Sequence, residues 1–134
     1  MKKEQLKRIF EFLKEKEGHN VPFLWKFKNN IPLTEDDLNV KGDLILTYSD
    51  IESLPKGLKV GGDLDLFESK ITSLPEGLEV GGDLDLSETN ITLLPKGLQV
   101  GGKLFIRGSA VINYSFNELM DMIKPGFIKG RIKV

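Results

Sequence analysis

Five aspartates recur on a twenty-residue spacing, Asp43, Asp63 and Asp83 in one column and Asp65 and Asp85 in another. They are the side chains of this chain best suited to chemistry. Grouped carboxylates can hold a hard cation such as calcium, work as an acid and base pair on a glycosidic bond, or present negative charge to a basic partner. Calcium needs oxygens wrapped around a centre, and the Asp-rich loop closed by a glutamate is missing. Glycoside hydrolysis needs two carboxyls made different by a pocket, whereas Asp63 and Asp65 are repeated as Asp83 and Asp85 in the next unit. A solvated row offered to a basic partner needs only exposure, so the sequence favours a binding protein over an enzyme, with calcium binding or a purely structural role as the alternative. No cofactor is called for.

Other reactive candidates have plainer roles. The pairs Gly61-Gly62, Gly81-Gly82 and Gly101-Gly102 resemble phosphate loops, but no Gly-Lys-Ser/Thr closes them and no long helix follows. Close backbone approach at a corner accounts for them. Ser49, Ser69, Thr89 and Ser109 form a hydroxyl column, and four copies suit bonding to the backbone of their own and the next coil better than nucleophilic catalysis. His19 is the one histidine and falls just after a helical pattern. There is no cysteine, which removes disulfides, thiolate metal sites and a cysteine nucleophile and suits a reducing compartment.

The elements that must position the aspartates are copies of one unit. Leu38-Asn39-Val40-Lys41-Gly42-Asp43-Leu44 returns from Leu58, from Leu78 and, with Lys103 in place of aspartate, from Leu98. Six apolar columns run through the copies: Leu38/58/78/98, Val40/60/80/100, Leu44/64/84/104, Leu46/66/86 with Ile106, Ile51/71/91 with Val111, and Leu54/74/94. A fixed period of this length predicts a solenoid whose coils bury their apolar faces against one another, since one coil alone cannot enclose a core. Pro55, Pro75 and Pro95, each followed two residues later by glycine, predict a tight turn or short 3₁₀ segment.

Flanking segments read as caps. Leu6, Ile9, Phe10 and Leu13 have helical spacing over 4–17. Phe23, Trp25 and Phe27 alternate within Val21 to Leu33 and predict a strand. After the repeats, Ser115 and Glu118 have capping-box spacing, with Phe116, Leu119, Met120 and Ile123 on one helical face. Ile128, Ile132 and Val134 then alternate with Lys129, Arg131 and Lys133 as a final strand with a basic outer side. The expected organisation is one folded unit: cap 1–35, solenoid 36–113 and cap 114–134. With 19 basic and 20 acidic residues the chain is near neutral, but Lys41 to Val100 holds 5 basic and 11 acidic. That balance argues against direct nucleic-acid binding. The charged start lacks the apolar core of a signal peptide and no stretch is long enough to span a bilayer, so a cytoplasmic setting without membrane contact is expected.

Leu64-Asp65-Leu66-Phe67-Glu68-Ser69-Lys70-Ile71-Thr72-Ser73-Leu74-Pro75 resembles the leucine-rich repeat pattern Leu-x-Leu-x-x-Asn-x-Leu-x-x-Leu-Pro, as does Leu84 through Pro95. Serine or threonine stands at the family's asparagine, and glycine replaces an upstream leucine. The twenty-residue length is similar to the short bacterial type, and the Gly-Gly-Asp-Leu variant is similar to small repeat proteins of bacteriophages and mobile elements. The resemblance implies an α/β solenoid of about four strand coils, with the Leu-x-Leu strands on a concave side. No ubiquitin-ligase domain accompanies the repeats, so that effector activity is not implied.

On that geometry, alternation turns the residues beside the leucines outward: Asp43, Ile45 and Thr47; Asp63, Asp65 and Phe67; Asp83, Asp85 and Ser87; Lys103, Phe105 and Arg107. The expected partner-binding set is Asp43, Ile45, Asp63, Asp65, Phe67, Asp83, Asp85, Phe105 and Arg107. The expected partner is a protein with a basic surface; for a mobile-element protein, it is a host or defence protein that is inhibited. The sequence does not specify an oligomeric state.

Overall fold

The computed structural model describes residues 23–134 and contains two compact units, Met1–Leu38 and Asn39–Val134. The helix expected over 4–17 and His19 lie outside the described residues. In the first unit, helix α1 spans Phe23–Lys28 and a single turn, α2, spans Glu35–Leu38. This corrects the strand expected across Val21 to Leu33. Leu24 interrupts the alternation of Phe23, Trp25 and Phe27, and the run Phe-Leu-Trp-Lys-Phe-Lys carries no β-branched residue, glycine or proline to resist a helix. Asn29 ends α1 by donating its backbone N–H (3.1 Å) and its side-chain Nδ2 (2.8 Å) to the Trp25 carbonyl, and Asn30 follows in the left-handed region at φ 57°.

Lys26 ties α1 to α2. Its Nζ donates to both oxygens of Asp37, at 2.9 and 2.8 Å, while Thr34 and Asp37 cap the turn reciprocally, each backbone N–H bonding to the other's side chain. Burial alone would raise the Asp37 carboxyl, but the bonds from Lys26 and Thr34 outweigh it and hold the group below its ordinary value.

The second unit is a parallel β-solenoid. Each coil contributes two strands of two residues: β1 Asn39–Val40 and β2 Leu44–Ile45, β3 Lys59–Val60 and β4 Leu64–Asp65, β5 Glu79–Val80 and β6 Leu84–Asp85, β7 Gln99–Val100 and β8 Leu104–Phe105. A fifth rung is made by β9 Phe127–Ile128 and β10 Ile132–Lys133. The odd-numbered strands form one five-stranded parallel sheet and the even-numbered strands a second. Register is strict, with Val40, Val60, Val80, Val100 and Ile128 stacked in one sheet and Leu44, Leu64, Leu84, Leu104 and Ile132 in the other. The repeats were expected to give one strand per coil. The additional strand, at Leu58-Lys59-Val60 and its equivalents, alternates over only three residues, too short a run to separate from a loop.

From Leu44 onward the members of all six apolar columns are buried, and Leu58, Leu64, Leu66, Ile71, Leu84 and Leu98 have no solvent exposure, while Val40 in the first coil is half-buried. The proline turns form as expected: Leu58, Leu78 and Leu98 donate back to the carbonyls of Pro55, Pro75 and Pro95 at 3.3–3.4 Å, with Gly57, Gly77 and Gly97 at φ 74–87°. That is the glycine position of a type II turn. The glycine pairs sit where neighbouring coils touch. A Cβ on Gly61 would come within 2.6 Å of the Lys41 carbonyl oxygen, and one on Gly81 or Gly101 would fall onto the carbonyl of the preceding coil's glycine.

The hydroxyl column is only partly as expected. Thr89 Oγ1 donates to the Leu86 carbonyl at 2.6 Å and Ser109 Oγ to Ile106 at 2.7 Å, both within their own coil. The buried hydroxyls of Ser49 and Ser69 find no hydrogen-bond partner among the described residues.

Beyond the fourth regular coil, a 3₁₀ segment at Ala110–Asn113 leads to α3, Phe116–Ile123, which stands where the other coils have their proline turn. Ser115 and Glu118 form the capping box, at 3.0 and 3.2 Å, and these bonds lower the Glu118 carboxyl. Leu119 and Ile123 are buried, but Phe116 is 65% exposed and lies outside the core. The tail is two strands rather than one. Ile128 pairs in one sheet and Ile132 in the other, with Lys129-Gly130-Arg131 turning the same corner as Gly101-Gly102-Lys103, and Val134 is exposed.

Candidate functional site

The five aspartates occupy two structurally different positions. Asp43, Asp63 and Asp83 stand one residue before β2, β4 and β6, and each reaches into the next coil. Asp43 Oδ1 accepts the backbone N–H of Asp63 at 2.7 Å, Asp63 Oδ1 that of Asp83 at 2.7 Å, and Asp83 Oδ1 that of Lys103 at 2.8 Å. The corner leaves those exposed N–H groups outside the sheet ladders, so the carboxylates supply a bond between coils that the backbone does not. The same bonds explain the second glycine of each pair: a Cβ on Gly62, Gly82 or Gly102 would fall onto the carboxylate oxygen of Asp43, Asp63 or Asp83.

Asp65 and Asp85 are the second residues of β4 and β6, and period-two alternation turns them away from the core while Leu64 and Leu84 are buried. Their bonds are local. Asp65 Oδ1 accepts the Phe67 N–H at 3.0 Å and Asp85 Oδ1 the Ser87 N–H at 2.8 Å, two residues on. Asp65 and Asp85 are Cα partners across the parallel ladder, about 4.8 Å apart by strand spacing. Two carboxylates at that separation repel each other wherever water does not screen them.

The rest of the row gives this face its character. Ile45, Asp65, Asp85, Phe105 and Lys133 stack in register across β2, β4, β6, β8 and β10. Ile45 is 58% exposed, whereas Phe67 and Phe105 are half-buried and Arg107 is exposed. Tyr48 packs edge-on against Phe67 with ring centroids 5.6 Å apart. The structure therefore brings Ile45, Asp65, Phe67, Asp85 and Phe105 onto one outer sheet face. It assigns Asp43, Asp63 and Asp83 to the corner beside it. Ser87, expected to face outward, is buried, and Thr47 is half-buried.

Glu68 and Glu88 were not anticipated. They follow the outward row, are exposed, and lie in the left-handed region at φ 51° and 57°, as does Tyr48 at 58°. A side chain there is disfavoured by a contact between Cβ and backbone. Gly108, which occupies the column in the fourth coil, is the sequence signal that marks it. Together with Asp65 and Asp85, these glutamates give the two middle coils four carboxylates near the strand ends.

Charge changes along the unit. Acidic side chains hold the middle rungs, while Lys103, Arg107, Arg131 and Lys133 hold the last two. On the other sheet the outward residues are Asn39, Lys59, Glu79, Gln99 and Phe127, with a Lys59–Glu79 ion pair at 3.2 Å and Lys129 Nζ 5.3 Å from the Phe127 ring centre. Among the described residues no three His, Asp or Glu side chains gather in a metal-holding cluster, and no helix is long and apolar enough to cross a membrane. No protein-family model, curated protein or solved structure matches this chain.

Proposed function

We propose that this protein is a non-enzymatic binding module that docks a protein with a basic surface on the outer face of its second sheet. The observation that carries the reading is the in-register row Ile45, Asp65, Asp85, Phe105, in which two outward carboxylates are stacked between an exposed isoleucine and a half-buried phenylalanine. Stacked like charges cost free energy in the isolated protein, and a cationic partner relieves that cost on binding. Apolar side chains at both ends supply area that excludes water around the ion pairs. The row is smaller than the roughly 20–30 residues a side of a standard interface. Glu68, Glu88 and Arg107 at its margin extend it. On the resemblance to mobile-element repeat proteins, the partner is a host or defence protein that docking inhibits.

The test is charge reversal. Asp65→Lys with Asp85→Lys should weaken binding to a partner recovered by affinity capture by at least about tenfold, with the urea midpoint used to show that the fold is kept. Unchanged affinity in a folded variant rejects this face.

A further inference from the structure

The spacing and order of the outward row specify a shape of partner, an inference that rests on the docking reading above. We propose that the second-sheet face receives an amphipathic α-helix lying across the rungs, with an apolar, basic, basic, apolar, acidic stripe that meets Ile45, Asp65, Asp85, Phe105 and Lys133 in turn. Successive rungs of a parallel sheet lie about 4.8 Å apart, so the five contact points fall at about 0, 5, 10, 14 and 19 Å. A helix rises about 1.5 Å per residue, and positions i, i+3, i+7, i+10 and i+14 share one face at about 0, 4.5, 10.5, 15 and 21 Å. Every contact stays within about 2 Å of its rung. An extended segment crossing the rungs presents same-face residues every 6.6–6.8 Å or so and is about 6 Å out by the fourth contact.

The order of chemistry fixes the rest. Basic residues at i+3 and i+7 face Asp65 and Asp85, and each of those carboxylates retains one oxygen with no donor among the described residues. The fifth rung carries Lys133, so an acidic residue at i+14 matches it. Orientation follows from the charge gradient. The positive N-terminal end of a helix macrodipole suits the acidic rungs, and its negative end suits Lys103, Arg107, Arg131 and Lys133. A second copy of this chain is a poor occupant, because antiparallel face-to-face pairing in full register sets Asp85 against Asp85.

The experiment uses the whole chain and stapled helical peptides of about 18 residues. One carries Leu at i and i+10, Arg at i+3 and i+7, and Glu at i+14. A second has the same composition with the arginines on the opposite face, and a third places the same five residues at alternate positions of a proline- and threonine-rich extended peptide. Fluorescence anisotropy at low salt should show the first bound at least about tenfold more tightly than the others, with NMR shifts at Ile45, Asp65, Asp85 and Phe105. Loss of that preference in Asp65→Lys/Asp85→Lys supports the assignment, and Asp65→Asn/Asp85→Asn provides a variant that keeps the acceptors for Phe67 and Ser87. Equal or tighter binding of the extended or rearranged peptide, or no binding of the first, overturns the helix. The docking reading still stands in that case if the reversed variant loses the captured natural partner, and falls if it keeps it.

Discussion

Asp63 and Asp65 are two residues apart, identical in type and repeated at the same interval, yet they do different work. Asp63 spends an oxygen on the next coil, bonding the N–H of Asp83, and the absent side chain of Gly82 makes room for it. Among the described residues Asp65 bonds within its own coil, and it stacks on Asp85. The first carboxylate joins coils, while the second adds repulsion between them. Repetition in a solenoid therefore does not assign a role to a column: whether the side chain reaches across the coil boundary or away from it does. A stability series along these two columns separates the joining carboxylate from the presenting one.

The largest effect is expected at the corner that makes the joining column workable. Gly81→Ala sets a methyl group on the Gly61 carbonyl oxygen, where the neighbour is backbone and can give only by separating two coils. A loss of about 3 kcal/mol follows from overpacking of this kind, read as a fall in the urea midpoint. Asp63→Ala comes next. It leaves the Asp83 N–H without its acceptor and should cost about 1–2 kcal/mol, whereas Asp63→Asn keeps an acceptor oxygen and should recover most of that loss. Equal losses for alanine and asparagine would mean that charge, not the hydrogen bond, joins the coils.

Legibility followed the length scale of each interaction. The six apolar columns and proline turns could be read because burial recurs from coil to coil and positive φ at each of the three turns, and Gly57, Gly77 and Gly97 announce the turn themselves. The first sheet could not: Leu58-Lys59-Val60 alternates buried, exposed, buried, but three residues between a proline turn and a glycine pair are too short a run to tell from a loop. The tail hides its corner for a related reason. Ile128 and Ile132 look like one alternating strand, although Gly130 stands two residues before Ile132 as Gly102 does before Leu104, which is the corner signature. In the candidate site, outward orientation of Asp65 and Asp85 was legible from alternation with Leu64 and Leu84. The bond from Asp63 to the next coil was not, since nothing in one copy shows which backbone N–H of its neighbour lacks a partner.

A smaller effect of opposite sign is expected at the strand end. Glu88 holds φ 57°, where glycine carries no Cβ penalty, and Gly108 already occupies the equivalent place. Glu88→Gly should raise stability by about 0.5–1 kcal/mol, net of the greater freedom glycine gives the unfolded chain. If the glutamate serves the binding face, the same variant should bind the basic partner more weakly. A gain in the urea midpoint without loss of affinity would remove Glu88 from that face.

The smallest change is predicted for the presenting column itself. Asp85→Asn keeps the oxygen that accepts from Ser87 and removes one of two stacked charges. Stability should rise by a few tenths of a kcal/mol at low salt, the scale of a like-charge cross-strand pair. The gain should fade as salt approaches about 1 M, where the screening length drops to about 3 Å and no longer spans one rung. Asp63 also has like-charged neighbours one rung away, Asp43 and Asp83, so Asp63→Asn should show a salt-dependent term as well, and only the term that survives at high salt reports its hydrogen bond. Asp63→Ala and Asp85→Ala compared at about 1 M salt, where repulsion in both columns is screened, therefore decide whether two aspartates in one repeat are distinguished by function or only by position: a larger loss at Asp63 supports the division, and equal losses collapse it.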